Sequence, residues 1–223
     1  MEKKLLTIFG ASGLVGSSIL REALDRGYHV NGTLRDIEKQ DRITRLKSLP
    51  SGNNAKFFQA DMAEISSLDH PLINSDAAII CCLIPTYKGF DGTPAKELDD
   101  ERGYNEIIKP TVDGCLNILK SAKINNVKNI LICSSTSSTN PIPPVLVKNE
   151  LDHWSDEKEQ CNSKKYTSAA KTYMERAAFK FCNENNLRLS VFLPTGLYGP
   201  AILPRHLKHL SLIHISEPTR QVL

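Results

Sequence analysis

The chain has no run of the roughly 18 apolar residues that a membrane-spanning helix needs, and its N-terminus lacks the apolar core and small-residue cleavage site of a secretory signal. Membrane and secretion are therefore not expected, and the protein is placed in the cytoplasm. Aromatics make up only 6% of the residues and no basic run interleaves with them, so a formal charge of +3 gives no footing for nucleic acid. The six cysteines (Cys81, Cys82, Cys115, Cys133, Cys161, Cys182) contain no CxxC pair and mostly sit in apolar runs, where cysteine acts as a small hydrophobe. They are read as reduced and structural, with neither zinc nor disulfides, and no metal site is expected. What remains, 40% apolar and 24% charged residues over 223 positions, suffices for one well-buried core.

That core is organised around Lys4 to Gly16, KLLTIFGASGLVG. Leu5, Leu6, Ile8 and Phe9 form an apolar run of the length of a strand buried on both faces, ending in Gly10, Gly13 and Gly16 with GxxGxxG spacing. Each glycine has a separate reason. Gly10 can take the positive φ of a tight turn, Gly13 lets backbone approach a pyrophosphate, and Gly16 lets the following helix pack close on the strand. The free N–H groups of that helix's first turn, beginning at Leu14 and Val15, then face the phosphates.

Downstream, apolar strands alternate with helical patterns. Strands are expected over Tyr28 to Leu34, Lys56 to Gln59, Ala77 to Leu83, Asn129 to Cys133 and Leu187 to Leu193. Helices are expected over Asp36 to Leu49, over Glu101 to Lys123 with a kink at Pro110, and from about Ser163 to Glu184. Strands separated by such helices predict a parallel sheet with right-handed crossovers: one α/β, doubly wound, Rossmann-like domain.

Several motifs together make the chain resemble the extended short-chain dehydrogenase/reductase superfamily, and within it the dihydroflavonol reductase and cinnamoyl-CoA reductase group. They are Gly10-Ala11-Ser12-Gly13 with Gly16, Leu34-Arg35-Asp36, Ile107-Ile108-Lys109-Pro110-Thr111, Ser134-Ser135, and Trp154-Ser155-Asp156. Lys171-Thr172 followed by Glu175, Ala177 and Ala178, and Pro194-Thr195 with Gly199-Pro200, complete the set. The resemblance implies hydride transfer between a nicotinamide cofactor and the carbonyl of a small molecule. It assigns Tyr166 as acid/base, Lys171 beside it and Ser135 as the group that polarises the carbonyl. It also implies a cofactor cradle of Gly10, Ser12, Gly13, Leu14, Val15 and Gly16, with Asp61 and Met62 bracketing the adenine. Leu83, Pro85 and Lys171 would line the groove, and Pro194 and Thr195 its nicotinamide end.

Two positions leave alternatives open. The family spacing is YxxxK, whereas Tyr166 precedes Lys171 by five residues in YTSAAK and Thr167 stands at the four-residue position. Five steps at ~100° put two side chains about 140° apart around a helix instead of about 40°. Either a one-residue π-bulge lies between them, or Tyr166 sits in an irregular first turn, or it is not catalytic. The second position is the end of the second strand, where an Arg suits a 2′-phosphate and an acidic residue suits a ribose hydroxyl. Arg35 favours NADP(H) there; Asp36 next to it keeps NAD(H) as the lesser alternative.

The resemblance covers Leu5 to Pro200, and relatives of this kind continue about a hundred residues further, so the substrate domain is expected to be largely missing. Leu210 to Arg220, LSLIHISEPTR, resembles the in-frame translation of a transposase adapter used in sequencing libraries. Residues 1–209 are therefore read as the truncated NAD(P)-binding domain and 210–223 as a non-native tail. The expected function is NADPH-dependent reduction of a ketone or aldehyde. The alternatives are a dinucleotide-binding protein without catalysis and a nucleotide-sugar epimerase or dehydratase. The oligomeric state is open.

Overall fold

In β1 (Leu5–Phe9) the residues Thr7, Ile8 and Phe9 are buried, and the polar one is satisfied, since Thr7 Oγ1 donates to the Pro71 carbonyl at 2.7 Å. The computed structural model describes residues 4–149 and 152–208, so the tail over 210–223 lies outside the described residues. β1 pairs in parallel with β2 (His29–Leu34) on one side and β4 (Ala77–Ile80) on the other. β3 (Ala55–Gln59) extends the sheet beyond β2, while β5 (Asn129–Cys133) and β6 (Arg188–Phe192) extend it beyond β4. The order β3-β2-β1-β4-β5-β6 is that of a doubly wound sheet, and it reverses between β1 and β4. A crevice at the carboxyl ends of the strands opens at such a reversal.

Helices cover both faces, each matched to one set of strand side chains. On one face α1 (Leu14–Asp25) brings Leu20 and Leu24 onto Ile8, Val30 and Ile79, and Leu46 of α2 (Gln40–Lys47) joins them. On the other face α5 (Lys109–Ile124) and α7 (Tyr166–Glu184) bury Ile118, Leu119, Met174 and Ala178 against Phe9, Ile80 and Ile132. The short helices α3 (Asp69–Leu72), α4 (Asp100–Gly103) and α6 (Glu157–Asn162) fill the connections.

The elements depart from expectation at three places. α2 begins at Gln40 because Asp36 closes a local turn, with Oδ1 accepting the Glu38 N–H at 3.0 Å and Oδ2 pairing with Lys39 at 3.1 Å. β4 stops at Ile80, before Cys82, on which the Gly10 turn is packed. Ahead of Pro110 lies a π-helical stretch, Tyr104–Ile108, between α4 and α5. A proline lacks the N–H for the i−4 carbonyl and its ring clashes with it, so the wider turn accommodates Pro110 near the start of α5.

The packing of α1 on β1 rests on Gly16, where a Cβ would stand 2.2 Å from the Gly10 carbonyl oxygen. Gly16→Ala should therefore cost about 1–3 kcal/mol, the scale of overpacking a tight contact. Urea denaturation measures this; an unchanged midpoint would mean that α1 can stand off from the strand.

Candidate cofactor site

The glycine turn is held by its own backbone and by the end of β2. Gly10 adopts φ +83°, which a side chain would resist, and its N–H donates to Thr33 Oγ1 at 3.2 Å. Ala11 N–H donates to the Thr33 carbonyl at 3.0 Å and Gly13 N–H to the Gly10 carbonyl at 2.9 Å. The loop is thereby tied to the end of β2. Gly13 is the N-cap of α1 and provides no side-chain cap, so the N–H groups of the helix's first turn point out of its end with the positive pole of the helix dipole behind them. Leu14 and Val15 there are half-buried. An uncapped helix end beside a turn with no room for Cβ atoms fits the phosphates of a dinucleotide.

At the end of β2, Arg35 is exposed, whereas Asp36 is engaged in its turn and with Lys39, which lowers its carboxyl below the ordinary range. Asp61 and Met62 have structural partners. Asp61 Oδ1 accepts the Ala63 N–H at 2.9 Å, and the Met62 sulfur fills the space left by Gly114, where a Cβ would lie 2.7 Å away. Asn117 Nδ2 donates to the Met62 carbonyl at 3.0 Å, fixing this corner to α5.

Across the crevice, Lys171 is 8% exposed and its ammonium donates to the Leu83 carbonyl. Burial lowers its pKa, while the Cys133 and Glu175 side chains work the other way. Leu83 and Pro85 are both buried. Ser135 is half-buried at the start of a 3-10 turn, Thr136–Ser138, and its Oγ accepts the Ser137 N–H at 3.2 Å, which leaves the hydroxyl proton for another acceptor. Thr136 N–H donates to the Pro194 carbonyl at 3.4 Å, holding the hydroxyl loop beside the exit of β6; Thr195 is exposed.

Tyr166 does not join this group. α7 runs as α-helix from Tyr166 to Glu184 with no π-bulge, so the five-residue offset turns the phenol away from Lys171. Its ring is 1% exposed and lies over Gly103, where a Cβ would come within 2.5 Å of it. Its hydroxyl donates to Asp100 Oδ1 at 2.7 Å. Burial and the Asp100 carboxylate both push the phenol above its ordinary pKa, the direction opposite to what a proton exchanger needs. A π-helical turn, one of the three alternatives for α7, occurs instead in the element that packs against it, Tyr104–Ile108.

Sequence reasoning counted Glu175 only as a motif match and gave it no role. Only 2% exposed, it accepts the Ser134 hydroxyl one residue before Ser135 and stands one turn beyond Lys171 on the same helix. Burial raises its pKa, and the Ser134 and Ser138 hydroxyls and Lys171 partly offset that. The Lys-x-x-x-Glu spacing was the available signal, because a carboxylate on a core-facing helix position needs polar partners. Trp154 and Ser155 also prove structural. Trp154 stacks edge-on with Phe179 and under Arg176, and Ser155 ties the hydroxyl loop through Ser137 O at 2.7 Å.

A doubly wound sheet with a glycine turn at its reversal and an uncapped helix behind it defines a dinucleotide-binding type of domain. A sequence model of the NAD dependent epimerase/dehydratase family matches residues 6–217, and the chain belongs to that family. It is 30% identical over 209 residues to a bifunctional dihydroflavonol 4-reductase/flavanone 4-reductase of Malus domestica, covering 91% of this chain and 57% of that protein. It is 32% identical over 203 residues to a dihydroflavonol 4-reductase of Callistephus chinensis, covering 88% and 52%. The chain thus spans little more than half the length of these relatives. Alfalfa vestitone reductase superposes with a TM-score of 0.62 at 22% identity, over 86% of this chain and 56% of that one. A yeast methylglyoxal/isovaleraldehyde reductase complexed with NADPH gives 0.63 at 19%, over 89% and 60%. At those identities the likeness is one of fold. No helix among the described residues is long and apolar enough to cross a membrane, and all six cysteines are free.

Tyr166→Phe removes a hydrogen bond to a carboxylate from a buried position. Stability should fall by about 1.5–3 kcal/mol, the worth of a bond to a charged group, while NADPH affinity stays the same. Urea denaturation and a cofactor titration measure the two; unchanged stability would show that the Asp100 contact does not hold the ring.

Proposed function

We propose that this chain carries the cofactor half of an NADP(H)-dependent reductase that acts on a ketone or aldehyde carbonyl of a small molecule. The observation that carries the reading is the uncapped start of α1, tied to the end of β2 where Arg35 is exposed, with Ser135 beyond the end of β5 and Lys171 bound to Leu83 beyond the end of β4. Arg35 would pair with the 2′-phosphate, and the first-turn N–H groups of α1 would hold the pyrophosphate. When bound, the nicotinamide cofactor supplies the hydride. Ser135, with its oxygen already accepting from Ser137, donates its proton toward the oxygen that gains charge. Lys171, held by the Leu83 carbonyl, brings a positive charge to the same end of the sheet. With the Tyr166 phenol engaged by Asp100, the proton comes from a water ordered by Ser135 and Lys171.

The Asp100 contact also favours a second reading, a dinucleotide-binding protein without catalysis. A full-length version mixed with NADPH and a panel of aldehydes and ketones separates the two. A reductase oxidises NADPH, and Thr167→Tyr, which restores a phenol four residues before Lys171, speeds it by about 10²-fold or more. A binder changes the cofactor's fluorescence without oxidising it. Failure of every substrate would leave only the binding reading standing.

Arg35→Ala removes a charge-assisted contact of roughly 1.5–3 kcal/mol and should weaken NADPH about ten- to a hundredfold with NADH nearly unchanged. Equal losses for both cofactors would contradict the assignment of Arg35.

A further inference from the structure

The last described segment returns to the glycine turn. Ile202 and Leu203 pack into the core beneath α1, with Leu203 1% exposed, and anchor a 3-10 turn over Pro204–Lys208. From this strap two side chains reach the same carbonyl. His206, 1% exposed, lies with Nε2 3.1 Å from the Ser12 carbonyl oxygen, and its Nδ1 accepts the Leu203 N–H at 3.3 Å, so Nε2 carries the proton. The Arg205 guanidinium donates to the same carbonyl and lies 3.4 Å from Ser12 Oγ.

Arg205 is placed among like charges with one donor left over. Ser12 follows Ala11, whose N–H is bound to Thr33, two residues before Arg35. Burial, then Arg42 and Arg35, lowers the Arg205 pKa, and Asp41 alone offsets them. Its Nε is buried without a partner among the described residues. A buried guanidinium N–H with nothing to donate to has room for a further acceptor, and beside two further arginines an anion with several oxygens suits it best.

We propose that Arg205 is a second arginine ligand of the cofactor's 2′-phosphate, carried to the glycine turn by the 202–208 strap so that the phosphate is held from β2 by Arg35 and from the strap by Arg205. The inference rests on the NADP(H) reading above and adds to it a specificity residue far from the glycine turn in sequence. His206 fixes the strap on Ser12, which keeps the Arg205 guanidinium at the glycine turn.

Calorimetric titration of the 223-residue chain with 2′,5′-ADP and with 5′-AMP, which lacks the 2′-phosphate, tests this directly. Arg205→Gln should weaken 2′,5′-ADP by about tenfold or more, the scale of a charge-assisted fork, and leave 5′-AMP within about twofold. Should a melting curve show that this variant is unfolded, Arg205→Lys decides the matter. It keeps the charge but not the fork, so a loss of about three- to tenfold confined to 2′,5′-ADP is expected. A wild-type preference for 2′,5′-ADP that survives both changes, or equal losses for the two ligands, overturns the role of Arg205 and leaves the NADP(H) reading intact. A wild-type chain with no preference for 2′,5′-ADP overturns both.

Discussion

The arrangement depends on one close approach, the Gly10 carbonyl against the backbone of Gly16. With a Cβ at Gly16 only 2.2 Å from that oxygen, α1 would have to withdraw from β1 and take its first-turn N–H groups away from the crevice. The same contact sets the turn at Gly10, which backs onto Cys82 and fixes where β4 leaves the sheet. Burial pushes the Cys82 thiol up to about 12, so the residue there is a packing surface rather than a nucleophile. The proposed seat for the phosphates therefore depends on helix packing, and a change at either glycine acts on both.

The opposite wall is organised around two buried ionisable groups on one helix. Lys171 is held by the Leu83 carbonyl, and Glu175 by Ser134 with Ser138 as a second partner. Burial moves the lysine down and the glutamate up, and each charge partly restores the other. Glu175 also orders the residue before Ser135, so the hydroxyl loop and the lysine share one anchor. Tyr166 belongs to a different cluster, with Leu98, Ile107 and Ile108. Gly103 leaves the space its ring occupies, which makes the glycine and the tyrosine a complementary pair in packing.

The sheet was legible because each strand is an apolar run bounded by turn residues, and buried parallel strands need no other signal. The helix ends were less legible. α2 starts late because a side-chain turn at Asp36 competes with the first helical turn, and the bend expected at Pro110 is absorbed one turn earlier as a π-helical stretch. The glycine turn could be read from spacing alone, since the demands on Gly10 and Gly16 come from backbone geometry local to the motif. Tyr166 could not, because its partners Asp100 and Gly103 lie more than sixty residues away and only the fold brings them together. Arg205 was hidden for the same reason, as nothing near Pro204 in sequence points to Ser12.

The central claim is that the uncapped start of α1 is the seat of the cofactor's phosphates. A titration of the ¹⁵N-labelled chain with NADPH, followed by amide NMR, tests it most directly. The backbone amides of Leu14, Val15 and Gly16 should show the largest shifts, since a phosphate hydrogen-bonded to them changes their electronic environment more than any side-chain contact does. Saturable binding that leaves those three amides unmoved while others shift would contradict it.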